Sequence, residues 1–146
     1  MTIERVYFDS SALVKVLVSS EAGAELASGL FHSGGRQYTS RLSRPETLSA
    51  LSRRVRNREI NTSDLGGALL RFEEAWQKVN VIPVLDPYVD RAAELVVDHS
   101  LSGADAVHLA TALEMLQHAE VTFVTWDKRQ AAGAAALGFE VQPPID

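Results

Sequence analysis

Short apolar runs alternate along this chain with longer segments whose apolar residues recur at helical spacing. Five runs have the length and the β-branched or aromatic content of strands: residues 5–9, 37–40, 81–86, 121–127 and 139–142. Seven segments have the three-to-four-residue period of amphipathic helices: 10–19, 22–31, 44–57, 62–79, 87–100, 103–117 and 128–138. This alternation predicts a three-layer α/β fold, in which a central parallel sheet has helices on both faces.

Prolines indicate which strands lie at the edges of the sheet. Pro83 falls within the third predicted strand, and Pro143 and Pro144 follow the fifth. Proline cannot donate a hydrogen bond to a neighbouring strand, so we expect these two strands at the edges and the other three at the centre. No repeat, low-complexity tract or linker divides the chain, which predicts one domain over residues 1–146.

Composition excludes several classes of protein. The chain contains no cysteine, which excludes disulfides, thiolate metal sites and a thiol nucleophile. No apolar run approaches the roughly 20 residues of a membrane-spanning helix, and the first residues lack the apolar core of a signal peptide. We therefore predict a cytoplasmic protein. The net charge is −5, yet six arginines and a single acid lie between Arg41 and Arg58, so a polyanionic substrate is not excluded.

Four acidic residues lie where predicted helices begin. Asp9 and Asp127 directly follow strands, Glu46 lies in the first turns after the second strand, and Asp105 opens the helix before the fourth strand. Each has a structural alternative, because acids and the S-x-x-E pattern from Ser43 cap helices. The carboxyl ends of parallel strands share one edge of a sheet, so we expect the four carboxylates to converge. Converging carboxylates repel one another unless a cation is bound, and oxygen ligands suit Mg²⁺ or Mn²⁺ and phosphoryl chemistry.

The segments YFDSSALVK, SRPETLSAL, DAVHLATAL and FVTWDKRQ occur in that order. Together they resemble PIN-domain ribonucleases, and most of all the VapC toxins of type II toxin–antitoxin pairs, over about residues 6–141. The resemblance implies sheet order 3-2-1-4-5 and an endoribonuclease that uses Mg²⁺ or Mn²⁺ to activate water. It assigns catalysis and metal binding to Asp9, Glu46, Asp105 and Asp127, with Asp9 and Asp105 as the primary ligands. It also implies an RNA substrate, a homodimer, and a small antitoxin protein that places a basic residue against the acids.

Several neighbouring residues are further candidates for the site. Ser10 and Thr125 carry hydroxyls that either orient the acids, contact phosphate or bond the local backbone. Arg41 and Arg44 are predicted phosphate contacts, because the arginines from residue 53 onward lie at least two helical turns further along. His108 lies one turn after the third acid, where bonding to a neighbouring side chain is favoured over a role as general base.

Apolar residues in the helix at 62–79 exceed what a single core-facing stripe needs: Leu65, Leu69, Leu70, Phe72 and Trp76. They predict either a homodimer surface or fuller burial within the monomer. Among other functions, a response-regulator receiver would need an acceptor Asp after residues 37–40, and a haloacid-dehalogenase-type phosphatase would need an acid where this chain has Ser11. A solitary PIN nuclease and a PIN-like module that only binds RNA or protein remain open.

Overall fold

The computed structural model describes residues 5–145 and contains all twelve predicted elements. The strands are β1 (Arg5–Phe8), β2 (Arg36–Ser40), β3 (Asn80–Ile82), β4 (Thr122–Val124) and β5 (Glu140–Gln142). The helices are α1 (Ser10–Leu17), α2 (Ala24–Phe31), α3 (Ser43–Arg56), α4 (Thr62–Lys78), α5 (Asp86–His99), α6 (Gly103–Leu116) and α7 (Lys128–Ala136). β3 is shorter than predicted because it ends at Ile82, before Pro83 breaks the pairing.

The five strands are all parallel and form one sheet in the order β3-β2-β1-β4-β5. The two strands associated with proline lie at its edges, as predicted. Tyr7 of β1 pairs with Tyr38 of β2 on one side and with Phe123 of β4 on the other. The carboxyl ends of β2, β1 and β4 are therefore neighbours at one edge of the sheet.

Alternate side chains of β1 belong to two separate cores. Val6 and Phe8 pack with α1, α2, α3 and α4 on one face of the sheet. Tyr7 packs with α5, α6 and α7 on the other face. All three side chains are fully buried, which is expected for the central strand of a parallel sheet covered on both faces.

Two of the helix caps that the sequence suggests are present in the structure, and the capping box that ends at Glu46 is not. Asp9 and Asp127 do cap α1 and α7, because their side chains accept hydrogen bonds from the backbone N–H groups of Ala12 and Gln130. The S-x-x-E capping box before Glu46 is absent, because α3 begins at Ser43 itself and the residue before it makes no side-chain cap. Capping thus does not explain Glu46.

Helix α4 divides its apolar residues between the core and the surface. Phe72 is buried in the core, and Leu65 and Trp76 pack partly against it. Leu69 and Leu70 stay 38% and 71% exposed, so only these two remain for contact with a partner. Within residues 5–145, no helix combines the length and apolarity required to cross a bilayer.

Candidate functional site

Asp9 is the most buried of the four predicted acids, with only 3% of its surface exposed. Its Oδ1 accepts hydrogen bonds from the Ser11 hydroxyl at 2.7 Å and from the Ala12 N–H at 3.0 Å. Its Oδ2 accepts a hydrogen bond from the Thr125 hydroxyl of the β4–α7 turn. Donors from two elements therefore orient both oxygens of this carboxylate at the end of the central strand.

Ser11, and not Ser10, is the serine that contacts Asp9. The Ser11 hydroxyl also accepts a hydrogen bond from the Trp126 N–H at 3.0 Å, which ties the β1–α1 turn to the β4–α7 turn. Ser10 lines a surface groove between α1 and α3, which Ser11 also lines. The sequence held no signal that separates the two serines, because both follow Asp9 in the first turn of α1.

The pKa values of Asp9 and Asp105 are both raised. Burial is the main cause for Asp9, and it outweighs the opposing effects of His108 and of the hydrogen bonds donated to the carboxylate. Asp105 is half-buried, and burial again raises its pKa most, followed by the negative charges of Asp127 and Asp9. Asp105 therefore lies within electrostatic reach of both Asp127 and Asp9.

Glu46 reaches the same edge of the sheet through His108. Its Oε1 lies 2.7 Å from His108 Nε2, and His108 Nδ1 lies 2.8 Å from the Tyr7 hydroxyl. The prediction that His108 forms a hydrogen bond with a neighbouring side chain is thus confirmed. Tyr7 was missed, because an aromatic residue in a central strand looks like any other core residue in the sequence. Burial, with the charges of Asp9 and Glu46, raises the pKa of Tyr7 well above its usual value.

The acids form an open group and not a closed metal cage. Within residues 5–145, no three carboxylate or imidazole groups lie close enough together to hold an ion unaided. Mg²⁺ is usually held by one or two carboxylates together with water and substrate phosphate, so an open set of oxygen donors suits it. A cation bound at Asp9 and Asp105 would offset the repulsion between these two carboxylates.

A groove of about 560 Å³ runs between α1 and α3 beside the acids. Its lining comprises Ser10, Ser11, Val14, Leu42, Pro45, Glu46, Ser49, Ala50, Arg53 and Arg54. Arg54 forms an ion pair with Glu21, which also lies 3.0 Å from Lys15 Nζ. Arg53 is exposed in this groove, although its position further along the helix made it a weaker candidate for phosphate contact than Arg41 and Arg44.

Arg44 contacts side chains of α4. Its guanidinium lies 2.7 Å from Glu73 Oε1 on that helix. It also lies over the rings of Phe72 and Trp76, at 5.4 and 5.7 Å from their centroids. Contact of Arg44 with phosphate would replace these surface interactions and stays a prediction. Arg41 is exposed and remains a candidate.

Comparison with known proteins points to one family. Residues 6–136 match the PIN domain family. Ribonuclease VapC45 of Mycobacterium tuberculosis is 39% identical over 138 residues, which is 94% of each chain. The fold resembles that of VapC20 of the same species, a toxin that cleaves the Sarcin-Ricin loop (TM-score 0.65, 23% identity, 94% of this chain and 99% of the other). It also resembles a toxin–antitoxin complex from Klebsiella pneumoniae (TM-score 0.64, 21% identity, 97% and 98% covered).

Proposed function

Because this chain belongs to the PIN-domain family, we propose that it is a single-domain, divalent-metal-dependent endoribonuclease and the toxin of a VapC-type toxin–antitoxin pair. The observation that carries the proposal is the approach of Asp105 to Asp127 and Asp9 at the carboxyl edge of β1 and β4. Glu46 is hydrogen-bonded to His108, whose ring acts electrostatically on Asp9 and Asp105. An acidic edge of this kind repels RNA phosphate unless a cation lies between them.

Asp9 and Asp105 would be the principal ligands of Mg²⁺ or Mn²⁺, and Glu46 and Asp127 complete the acidic site. When bound, the ion neutralises phosphate charge and activates water for phosphodiester hydrolysis. Ser11 and Thr125 orient Asp9, because both hydroxyls donate to its oxygens. Ser10 lies on the groove wall, where it is placed for contact with substrate or partner.

RNA is the substrate that this surface supports best. Arg53 and Arg41 are exposed cations on or next to the element that carries Glu46. Either arginine could bind a phosphate without breaking an internal ion pair. Arg44 and Arg54, by contrast, already pair with Glu73 and Glu21. The positive charge along α3 thus offsets the negative net charge of the chain where the substrate approaches.

The antitoxin is proposed to occupy the α1–α3 groove. Val14, Leu42 and Pro45 give the groove an apolar wall, and Glu46 lies on the same surface. An apolar peptide segment fits that wall, and an arginine or lysine from the peptide would pair with the acids. Such a peptide competes with the metal ion for the same negative charge, so the complex should be inactive and high Mg²⁺ should partly restore cleavage.

The test is cleavage of total RNA by the purified protein in EDTA, Mg²⁺ or Mn²⁺. We expect cleavage only with a metal ion, and a loss of at least about 100-fold in Asp9→Asn and in Asp105→Asn. Asp90→Asn, an exposed acid on α5, is the matched control and should cleave normally. RNA binding without cleavage would instead identify a binding module. Active protein that neither inhibits growth nor copurifies with a small partner would identify a solitary nuclease.

A further inference from the structure

A buried hydrogen-bonded chain leads from the centre of the sheet to Glu46, and the proposed reaction does not use it. The Tyr7 hydroxyl lies 2.8 Å from His108 Nδ1, and His108 Nε2 lies 2.7 Å from Glu46 Oε1. Tyr7 and His108 are fully buried, whereas the Glu46 side chain is 25% exposed. The chain therefore begins in the core and ends at the acidic edge.

The acceptor at the end of the chain determines the direction of the hydrogen bonds. A carboxylate only accepts, so His108 Nε2 carries the proton that it donates to Glu46. In a neutral imidazole Nδ1 is then the acceptor, and the Tyr7 hydroxyl is the donor. The two hydrogen bonds therefore support each other, because each requires the same tautomer of the ring.

Packing holds the inner two members of the chain. The Tyr7 ring stacks on Phe123 with centroids 5.1 Å apart and meets the His108 ring edge-on at 5.9 Å. Glu46 lies on α3 and has three rotatable side-chain bonds. Within residues 5–145, its carboxylate has one hydrogen bond, and that bond comes from His108. The packed side chains of Tyr7 and His108 thus limit where the Glu46 carboxylate can lie.

We infer that Tyr7 and His108 are positioning residues that fix the Glu46 carboxylate at the acidic edge, an inference that rests on the proposed metal-dependent nuclease. Partners that orient a metal-binding side chain typically change metal affinity or activity by about 10–100-fold when they are lost. The sequence interpretation treated His108 as a residue bonded to a neighbour. The geometry adds that this neighbour is a site acid more than 60 residues away.

The experiment measures the Mn²⁺ dissociation constant by calorimetry, kcat and KM on RNA, and the melting temperature. His108→Ala should weaken Mn²⁺ binding and lower kcat by about 10–100-fold while KM for RNA changes little. Tyr7→Phe keeps the stacked ring and should give a smaller loss in the same direction. His108→Gln should recover most of the loss, because its amide N–H can replace Nε2–H. Leu95→Ala, in the same core on α5, should lower the melting temperature and leave Mn²⁺ affinity unchanged.

A double-mutant cycle with Glu46→Gln separates positioning from simple structural support. If His108 acts through Glu46, His108→Ala should have no further effect on Mn²⁺ affinity in the Glu46→Gln background. Additive losses in the double mutant would overturn the inference, and so would unchanged Mn²⁺ affinity and kcat in His108→Ala. In either case, RNA cleavage by the wild-type protein would still support the proposed nuclease. If His108→Ala does not fold, unchanged Mn²⁺ affinity and kcat in Tyr7→Phe would overturn it. A wild-type protein that neither binds Mn²⁺ nor cleaves RNA would overturn both proposals.

Discussion

Individual side chains at this site combine structural and chemical roles. Asp9 caps α1 through the Ala12 N–H and also presents its second oxygen to Thr125. A cap needs only one accepting oxygen, and Asn would supply it about equally well. Burial raises the pKa of Asp9 even though donors satisfy both of its oxygens. The charged carboxylate therefore carries a desolvation cost that an Asn cap at the same position would avoid.

Replacing Asp105 by Asn should stabilise the metal-free protein at neutral pH by a few degrees of melting temperature. Burial and the charges of Asp127 and Asp9 raise the pKa of Asp105 in the folded state. A raised carboxyl pKa means that the folded protein binds the proton more tightly than the unfolded chain does. Stability is therefore lost as the pH rises from the usual Asp pKa through the raised one. Asn removes that loss.

Thermal unfolding in EDTA across this pH range measures the effect. The gain of Asp105→Asn over wild type should shrink towards acidic pH, where Asp105 is protonated anyway. Asp98→Asn, an exposed acid on α5, is the control and should show no such trend. A gain that is independent of pH would contradict the electrostatic explanation.

The two serines after Asp9 should differ in their effect on catalysis. Ser11→Ala removes a donor to Asp9 Oδ1 and should lower metal affinity or cleavage by about 10-fold or more. Ser10→Ala removes a groove hydroxyl without touching Asp9, and should leave metal affinity unchanged. Mn²⁺ titrations of both variants decide the point. Equal effects of the two substitutions would contradict the role given to Ser11.

At the scale of elements, the turns after β1 and β4 build the site as a joined pair. Thr125 bonds Asp9, and Ser11 accepts from the Trp126 N–H, so each turn holds the other in place. The start of α2 packs on the same region through Gly23, which has φ +88° and lies directly against the Trp126 indole. Backbone conformation and close packing both require glycine at this position.

Gly23→Ala should therefore destabilise the protein by at least about 1 kcal/mol, since a left-handed non-glycine residue is strained. An added Cβ would also lie only 2.6 Å from Trp126 Nε1. Gly29→Ala is the matched control, because Gly29 lies within α2 and a Cβ there meets no atom within 4 Å. It should stabilise the helix by about 0.5–1 kcal/mol. Denaturant unfolding measures both changes, and loss of stability in both variants would contradict this distinction.

Helix α3 carries an arginine that we propose to contact RNA and arginines that pair with acids elsewhere in the protein. Arg53→Gln should weaken RNA binding and reduce its salt dependence by about 0.7 log unit per log unit of salt. Arg44→Gln should leave that slope unchanged, because its guanidinium already pairs with Glu73. Fluorescence anisotropy with single-stranded RNA in EDTA, at several salt concentrations, tests this. A changed slope only in Arg44→Gln would restore the assignment made from the sequence.

At the scale of the whole molecule, exposed apolar surface remains on α4 and α5 after both cores are filled. Leu70 on α4 is 71% exposed and Val97 on α5 is 81% exposed. Leu69 lies beside Leu70, whereas Phe72 of the same helix is buried in the core. A homodimer formed through α4 would cover the paired leucines, and this stays a prediction.

Leu70→Glu should shift the protein from dimer to monomer in size-exclusion chromatography with light scattering, without lowering its melting temperature. A charge at this position opposes burial between two copies but costs nothing at a surface exposed in the monomer. Val97→Glu on α5 is the control and should leave the dimer intact. A monomeric wild type, or a dimer that only Val97→Glu disrupts, would rule out α4 as the interface.

Sequence patterns alone predict the elements and the edge strands, and they single out the four acids as candidates. These features are local: periodicity reflects which side of an element is buried, and proline removes a donor at its own position. Parallel topology then brings residues after successive central strands to one edge, whatever the details of packing. For this reason the sequence alone predicts that Asp9, Glu46 and Asp127 lie at one edge of the sheet. It adds Asp105 because this acid opens the helix that leads into β4.

The contacts around those acids emerge only in the folded chain. Ser11 donates to Asp9, Arg44 pairs with Glu73 on α4, and Arg53 lines the groove. The chain from Tyr7 through His108 to Glu46 joins residues 101 and 62 positions apart. Such pairings depend on rotamers and on how helices cross the sheet, where a difference of a few ångström changes the partner. Sequence periodicity predicts which face of an element is buried, but it does not predict the distance between two side chains to within a few ångström. These contacts are therefore set only when the helices pack on both faces of the sheet.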